Sequence, residues 1–578
     1  MASMGWMRWL LWVAAWRAEA VSPDDTSALA QASVRMHLAK RFVSEAVTEE
    51  PEGPMAYTAL GPIKGVKKEG YVAFLKVPYV EKPERFAAAE AKKPWAPEVI
   101  DATKIGDGCI GTHVPLVTES EDCLNINIWL PQGGRKNLPV LVYFHGGMNQ
   151  HGAGMEPSRS GDMTVQSAKY PVIYAAFDFR MGLFGYYHDG TPDNGGVPRN
   201  LGLRDQQMAL RWIQGNIAAF GGDPSRVSLV GASFGCPNIM THMVSPGSAG
   251  LFHRVVLVSP PVDMWLRDTN KLRTEFMVKE IGCKRPKAWS QLRCLRRKPA
   301  AKLWSNDWIS EDMTRNVSSS MKPIEQGLTL ARWALTMHVS FQDIPLHMGW
   351  HAVVDNETLP GHPRDLLAQG RWNRVPVLVT TAKNESLGIF PSGVGDEIIG
   401  KVIDTALGDL SGEKDLQVMK AEYKEAFARQ GAEFENPVAE RNALFTDKVW
   451  TCDLRSLVRD LATSGGDVRV GVFAHAPKYD PIGRSTNLVC EHGAACHSAD
   501  VAYLSPQSAG IFYHKSLKEE QDFACTYRDY FLAFMSGDEA GTPWKRYSLE
   551  EQAMTFVDMS GVEVVPGYRK EQCDILDR

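Results

Sequence analysis

The 578-residue sequence has almost no net charge, few cysteines and no long hydrophobic run. It contains 63 Lys and Arg against 68 Asp and Glu, a formal net charge of −5. This balance lacks the overall basic excess that phosphate backbones attract, so we expect no nucleic-acid partner. No apolar run approaches the roughly 20 residues needed to cross a bilayer, so we expect no transmembrane segment. Ten cysteines are too few for a fold that depends on disulfides, but they can bridge a fold that already has a core.

The N-terminus has the three parts of a signal peptide, assigned to residues 1–20. Arg8 precedes the apolar run 9–16, and Ala18–Ala20 provides small residues for cleavage. The alternative is a buried N-terminal helix. The C-terminus lacks an ER-retention tetrapeptide and a lipid-anchor tail, so the mature chain is expected to be secreted or lumenal. Three sequons are compatible with a glycoprotein, at Asn316, Asn356 and Asn384.

Residues 21–54 form a polar leader that is expected to be poorly ordered, and residues 55–578 are expected to form a single domain. Within that domain, short and continuously apolar runs alternate with helical segments such as 202–219 and 415–430. Continuous hydrophobicity indicates strands that are buried on both faces. The pattern predicts a doubly wound α/β fold, with a mostly parallel sheet and helices on both faces. The predicted strands are 139–144, 171–177, 227–230, 255–258, 375–379 and 468–473.

The sequence Gly231–Gly235 (GASFG) follows the predicted strand 227–230 and precedes an apolar segment. A strand, a tight turn and a helix form the context of a nucleophile elbow, in which Ser233 would attack a carbonyl carbon. An ordinary Gly/Ser turn is the alternative. The amide of Phe234 would then be one donor of the oxyanion hole, because the residue after the nucleophile contributes its backbone N–H.

A second glycine-containing segment, His145–Met148, follows the predicted strand 139–144. Small residues allow backbone amides to approach a substrate, as in the HGG-type loops of esterases. Gly147 and Met148 are therefore the other candidate oxyanion donors. A simple glycine turn after a strand is the alternative.

Several ordered motifs resemble the type-B carboxylesterase and cholinesterase family of α/β-hydrolases, from about Tyr57 to Cys573. The most specific stretch runs from residue 200 (NLGLRDQQ) through 216–224 (NIAAFGGDP) to the elbow. Further similar stretches are 74–79 with 85–86, 121–128 and 179–185.

The resemblance implies a catalytic triad in the chain order serine, acid, histidine. Its acid corresponds to Glu385, in a segment that follows a predicted strand, although a surface glutamate is the alternative. Its histidine corresponds to His497, which has an acid, Asp500, three residues later. His492 is the rival base, whereas His475 resembles a structural histidine at a strand end; His514 is the other histidine after Glu385.

The resemblance also suggests pairings among the cysteines. Cys109–Cys123 and Cys452–Cys573 resemble family bridges, and Cys283 and Cys294 enclose a short loop with a similar separation. Cys490–Cys496 could clamp the histidine loop. Cys236 and Cys525 would then remain as buried thiols. Spacing alone does not define which cysteines are paired, so these pairings are expectations from the resemblance.

Three residues depart from the family pattern: Ala232 replaces an acid, Phe234 a small residue and Met148 a glycine. In addition, residues 110–122 contain no Trp that could bind a quaternary ammonium group.

The expected function is hydrolysis of uncharged small-molecule or lipid esters through an acyl-enzyme, with no metal or cofactor. The alternative is a weakly active or inert member used for adhesion, as in the family's neuroligin-like branch. A thioester or amide hydrolase would share the machinery. The oligomeric state stays open.

Overall fold

An eleven-stranded sheet is the largest element of the computed structural model. The structure describes residues 53–577, except for 113–116, 157–159, 167, 263–269, 305–349, 387–412, 478–493, 498 and 505–517. The strands are β1 Met55–Tyr57, β2 Pro62–Lys64, β3 Val66–Lys68, β4 Tyr71–Pro78, β5 Ile100–Asp101, β6 Gly108–Cys109, β7 Glu119–Ser120, β8 Asn125–Pro131, β9 Leu138–Phe144, β10 Ile173–Phe177, β11 Gly222–Ala232, β12 Arg254–Val258, β13 Val377–Ala382, β14 Val468–Phe473, β15 Met554–Asp558 and β16 Gly561–Val565.

The strand order in this sheet is β16-β15-β14-β13-β12-β11-β9-β10-β8-β4-β3. The neighbouring pairs from β10 to β15 are parallel, while β8, β4, β3 and β16 join antiparallel at the two sides. The sheet is thus mostly parallel, and the α/β-hydrolase fold predicted from the sequence is confirmed.

Fourteen α-helices lie in the described part of the chain and accompany the sheet. They are α1 Asp162–Gln166, α2 Gly182–Tyr186, α3 Leu201–Asn216, α4 Gly235–Val244, α5 Asn270–Glu280, α6 Ala288–Arg297, α7 Ala300–Leu303, α8 Pro363–Ala368, α9 Glu413–Arg429, α10 Pro437–Thr446, α11 Cys452–Thr463, α12 Ala499–Leu504, α13 Lys518–Ser536 and α14 Lys570–Leu576. None of them is both long and apolar enough to cross a membrane.

Strand β9 shows why the central runs are continuously apolar. All seven of its residues are buried. Val140, Val142 and Phe144 pack into one apolar cluster, whereas Leu141 and Tyr143 pack into another. Because successive side chains of a strand point to opposite faces, this division means that both faces of the sheet are covered.

The observed elements differ from the predicted runs mainly at their ends. The predicted helix 202–219 ends as α3 at Asn216 and continues as a 3-10 turn, Ile217–Phe220. The predicted strand 375–379 is displaced to Val377–Ala382, since Pro376 has no amide proton to donate to a neighbouring strand. As a result, β13 ends three residues before Glu385.

The strand order places the ends of β9 and β11 at a reversal in the sheet. From β9 the chain continues to β10 on one side, whereas β11 pairs with β9 on the other side. Loops that leave the carboxyl ends of parallel strands at such a reversal form a crevice, which is the usual ligand site of open α/β sheets. Both glycine-containing segments of the sequence lie in these two loops.

Three of the four suggested disulfides are present in the structure: Cys109–Cys123, Cys283–Cys294 and Cys452–Cys573. Cys496 is also disulfide-bonded, but Cys490 lies outside the described residues. Cys236 is a buried free thiol and Cys525 is a partly buried one.

Candidate active site

The turn between β11 and α4 holds Ser233 in a left-handed conformation, with φ 51°. Such a backbone is strained for a residue with a Cβ, and strain of this kind is typical of a nucleophile elbow. A Cβ at Gly231 would lie 2.7 Å from the carbonyl carbon of Gly235. A Cβ at Gly235 would lie 2.2 Å from the carbonyl oxygen of Phe144. Both flanking glycines are therefore required by close backbone packing.

The structure brings Ser233, His497 and Glu385 together in one hydrogen-bonded chain. The Ser233 Oγ is 3.1 Å from Nε2 of His497, and Nδ1 of His497 is 2.6 Å from Oε2 of Glu385. These contacts join residues that are 264 and 112 positions apart in the sequence. The order of the contacts is that of a nucleophile, a general base and an orienting acid.

The Glu385 carboxylate is buried, and both of its oxygens accept hydrogen bonds. Its Oε1 accepts hydrogen bonds from the Thr381 hydroxyl at 2.8 Å and the Ala382 amide at 2.7 Å, which leaves Oε2 for His497. Burial alone would raise the pKa of Glu385, but the adjacent His497 and the Ala382 amide hold that pKa below its ordinary value. Glu385 therefore stays ionised beside the imidazole.

The loop after β9 contacts the elbow directly. A Cβ at Gly146 would lie 2.8 Å from the Ala232 carbonyl oxygen and 3.7 Å from the Phe234 amide nitrogen. Among the described residues, no backbone hydrogen bond is donated by the amides of Gly147, Met148 or Phe234. A free N–H group in each of these positions is what an oxyanion hole requires.

Met148 adopts the backbone conformation expected of the glycine that it replaces. Its φ is 59°, in the left-handed region, and Gly147 before it has φ 100°. The left-handed region is the one positive-φ region open to a residue with a Cβ, so Met148 can take the place of the glycine. The left-handed geometry costs Met148 about 1–2 kcal/mol, which the surrounding contacts must offset.

Asn149 provides those contacts and was not identified from the sequence. Its side-chain amide donates to the Trp350 carbonyl at 2.7 Å and exchanges hydrogen bonds with the amide of Asn238 on α4. The Trp350 amide in turn donates to the Met148 carbonyl at 2.9 Å. An Asn followed much later by a second Asn has no distinctive spacing, so only the folded chain reveals this pair.

Replacing Met148 with Gly should leave kcat nearly unchanged, because Gly adopts a positive φ without strain. Met148→Val should lower kcat by about 10²-fold, since a β-branched residue resists this conformation and would turn one oxyanion donor away. Steady-state hydrolysis of a p-nitrophenyl ester by the two variants measures the effect. Equal activity of both would show that the amide of residue 148 does not contribute.

The two departures beside Ser233 are both accommodated in the core. Ala232 is 1% exposed and lies in an apolar cluster, where an acid would lose its solvation. The Phe234 ring is 2% exposed, so it is enclosed rather than placed in the open crevice. Both departures are therefore explained by burial in the core.

Asp500, three residues after His497, is fully buried on α12. Both of its carboxyl oxygens are buried, and the nearby amides of Asp500 and Val501 only partly offset the loss of solvation. Burial raises the pKa of Asp500 well above its ordinary value, and the negative charge of Glu385 raises it further. The protonated form of Asp500 adds no second negative charge beside the Glu385–His497 pair.

The pH dependence of stability tests this state of Asp500. A carboxyl with a raised pKa in the folded protein destabilises the fold increasingly as pH rises above its unfolded pKa of about 3.9. Asp500→Asn should therefore gain stability relative to the unmodified protein between pH 4 and pH 7, by at most about 4 kcal/mol. Melting temperatures across this range measure the gain, and a difference that does not change with pH would contradict it.

The rival histidines differ in what the structure shows of them. His475 lies just after β14, and its Nε2 is 3.1 Å from Oε1 of Glu520. The Tyr503 hydroxyl donates to the other oxygen of the same carboxylate. His475 therefore takes part in a separate buried pair, as expected of a structural histidine. His492 and His514 lie outside the described residues.

A serine on a strand–turn–helix elbow, with its acid and histidine later in the chain, defines the class of α/β-hydrolases. The comparisons with known proteins lead to a family within this class. The model of the carboxylesterase family matches residues 52–576. The chain therefore belongs to the carboxylesterase family, and the predicted class of carboxylic ester hydrolase is confirmed.

One relative is similar in sequence, and solved structures are similar in fold. The para-nitrobenzyl esterase of Bacillus subtilis (strain 168) is 31% identical over 365 residues, which are 61% of this chain and 67% of that esterase. A solved structure of a PNB esterase has a TM-score of 0.69 at 23% identity, covering 91% of this chain and all of that one. A thermophilic PNB esterase gives a TM-score of 0.68.

Proposed function

We propose that this chain hydrolyses uncharged carboxylic esters through an acyl-enzyme formed on Ser233. The observation that supports this most strongly is the hydrogen-bonded chain from the Ser233 Oγ through His497 to Glu385. A neutral His497 Nε2 can accept the serine proton, and the Glu385 carboxylate stabilises the imidazolium that results.

In the first half of the reaction, the Ser233 Oγ attacks the ester carbonyl carbon while His497 takes its proton. The resulting oxyanion accepts hydrogen bonds from the backbone N–H groups of Gly147, Met148 and Phe234. His497 then returns the proton to the departing alcohol, which leaves the acyl group on Ser233. In the second half, His497 deprotonates a water molecule that attacks the acyl carbonyl carbon. His497 then returns this proton to the Ser233 Oγ as the acyl–oxygen bond breaks, which releases the carboxylic acid and restores the free serine.

The two half-reactions can be separated with a p-nitrophenyl ester. Where deacylation is the slower half, p-nitrophenol should appear in an initial burst that equals the enzyme concentration, followed by steady turnover. Electrospray mass spectrometry of the quenched enzyme should find the acyl mass on the peptide that contains Ser233. Turnover that leaves the acyl group on no residue, even with a slowly hydrolysed acyl group, would contradict the proposal.

The adhesion alternative has less support. The strained Ser233 backbone and the two triad hydrogen bonds have a direct role in hydrolysis but none in binding a partner. The departures at Ala232 and Phe234 are explained by packing.

We further propose that the protein is secreted or enters the lumen of the secretory pathway. The disulfides support this, because they form and persist in oxidising compartments. The signal peptide predicted at residues 1–20 is the main sequence feature behind this proposal, and residues 1–52 lie outside the described chain. Of the three sequons, Asn356 is exposed, Asn384 is half-buried beside Glu385, and Asn316 lies outside the described residues. Asn356 is therefore the preferred glycosylation site, and Asn384 should stay unmodified.

A further inference from the structure

The near balance of charge over the whole chain conceals a local excess around α6. Residues 281–304 contain no Asp or Glu. Their eight basic residues are Lys284, Arg285, Lys287, Arg293, Arg296, Arg297, Lys298 and Lys302. Seven of these are exposed and Lys298 is half-buried, so the excess lies at the surface.

One face of α6 combines this charge with an exposed aromatic ring. Trp289, Arg293, Arg296 and Arg297 are exposed and follow a helical spacing of four, seven and eight residues from Trp289. We name these four residues the basic face. Trp289 is 61% exposed, which is unusual for so large an apolar side chain. The opposite side of α6 is buried through Leu292 and Leu295.

The basic face is firmly attached to the domain. Cys294 on α6 is disulfide-bonded to Cys283, and the Arg85 guanidinium donates to the Leu295 and Lys298 carbonyls at 3.0 and 2.6 Å. Leu295 packs in the apolar cluster that also contains Trp350, whose amide binds the Met148 carbonyl. The face therefore presents its charges from a rigid helix.

Little of this charge is neutralised within the described chain. Lys284 is paired with Glu275 at 2.8 Å, and Asp189 lies near the start of α6, where its carboxylate accepts from Thr191. Arg293 and Arg297 form no ion pair with any described residue. Within the described part of the chain, two guanidinium groups beside an exposed indole thus have no carboxylate partner.

We propose that the basic face is a docking surface for an anionic phospholipid membrane. Guanidinium groups bind lipid phosphates, and an exposed Trp inserts its amphipathic ring at the level of the headgroups. A nucleic acid or a sulfated glycan would use the arginines but has no apolar layer for Trp289. Docking in this way goes beyond the proposed esterase reaction and would hold the enzyme where apolar esters concentrate.

Co-sedimentation with vesicles tests the proposal on the full chain. Binding should be strong to vesicles of phosphatidylcholine and phosphatidylserine in equal amounts, and weak to phosphatidylcholine alone. Arg293→Glu with Arg297→Glu should reduce binding to the anionic vesicles by at least about tenfold. Trp289→Ala should reduce it by about fivefold.

The matched control is Arg135→Glu with Lys136→Glu, an equal charge change in the exposed loop between β8 and β9. This control should keep vesicle binding, and all variants should keep p-nitrophenyl ester hydrolysis, which separates docking from catalysis. Equal loss in the control would show a response to net charge alone and overturn the proposal. Tighter binding to heparin or to an oligonucleotide, with no effect of Trp289→Ala, would also overturn it in favour of a polyanion site.

Discussion

Replacing His497 with Ala should lower kcat for a p-nitrophenyl ester by about 10⁶-fold, the loss typical when the histidine of a triad is removed. The reason is geometric, because the Nε2 of His497 lies 3.1 Å from the Ser233 Oγ. Steady-state kinetics at pH 8 measures the loss, and His497→Gln provides a second variant in which the volume of the side chain is largely kept.

The same substitution at His492, the rival from the sequence, should leave most of the activity. Unchanged melting temperatures in the His497 variants would exclude misfolding as the cause of their loss. Near-normal turnover by His497→Ala, or a complete loss in His492→Ala alone, would contradict the assignment of the base.

Replacing Ser233 with Ala should cause a loss of the same size, about 10⁶-fold in kcat. Because serine and histidine act as one unit, the double variant Ser233→Ala with His497→Ala should be no slower than either single variant. Ser225→Ala is the matched control, since Ser225 is exposed and its hydroxyl donates to the nearby Asp223. Additive losses in the double variant would show that the two residues do not act together.

Much of this site could be predicted from the sequence because its signals are local. The elbow requires Gly231 and Gly235 within five residues of chain, and the strand before it is a continuous apolar run. The central strands of the sheet could be predicted for the same reason, because a strand buried on both faces is a continuous apolar run whatever its distant partners are. Five strands of the sheet, β3, β4, β8, β15 and β16, were not predicted. The edge strands β3 and β16 are partly exposed and contain charged residues, so they lack the continuous apolar pattern.

The parts that could not be predicted depend on contacts between distant segments. Asn149 and Asn238 are 89 residues apart, and neither has a motif that indicates their mutual hydrogen bonds. The sequence shows that Met148 replaces a glycine, but its left-handed φ depends on the folded loop as a whole. Glu385 and His497 were placed through resemblance to the family, and the conformation of the chain around them explains why they meet: the Asn384 amide donates to the Ala495 carbonyl at 2.9 Å.

The central claim, that Ser233 is the activated nucleophile of this carboxylesterase, is tested most directly by covalent labelling with a fluorophosphonate. The unmodified protein should be labelled once, and peptide mapping should locate the phosphonyl group on Ser233. Labelling should disappear in Ser233→Ala and become very slow in His497→Ala, because the hydroxyl is a poor nucleophile without its base. A label on another residue, or undiminished labelling of Ser233→Ala, would contradict the account.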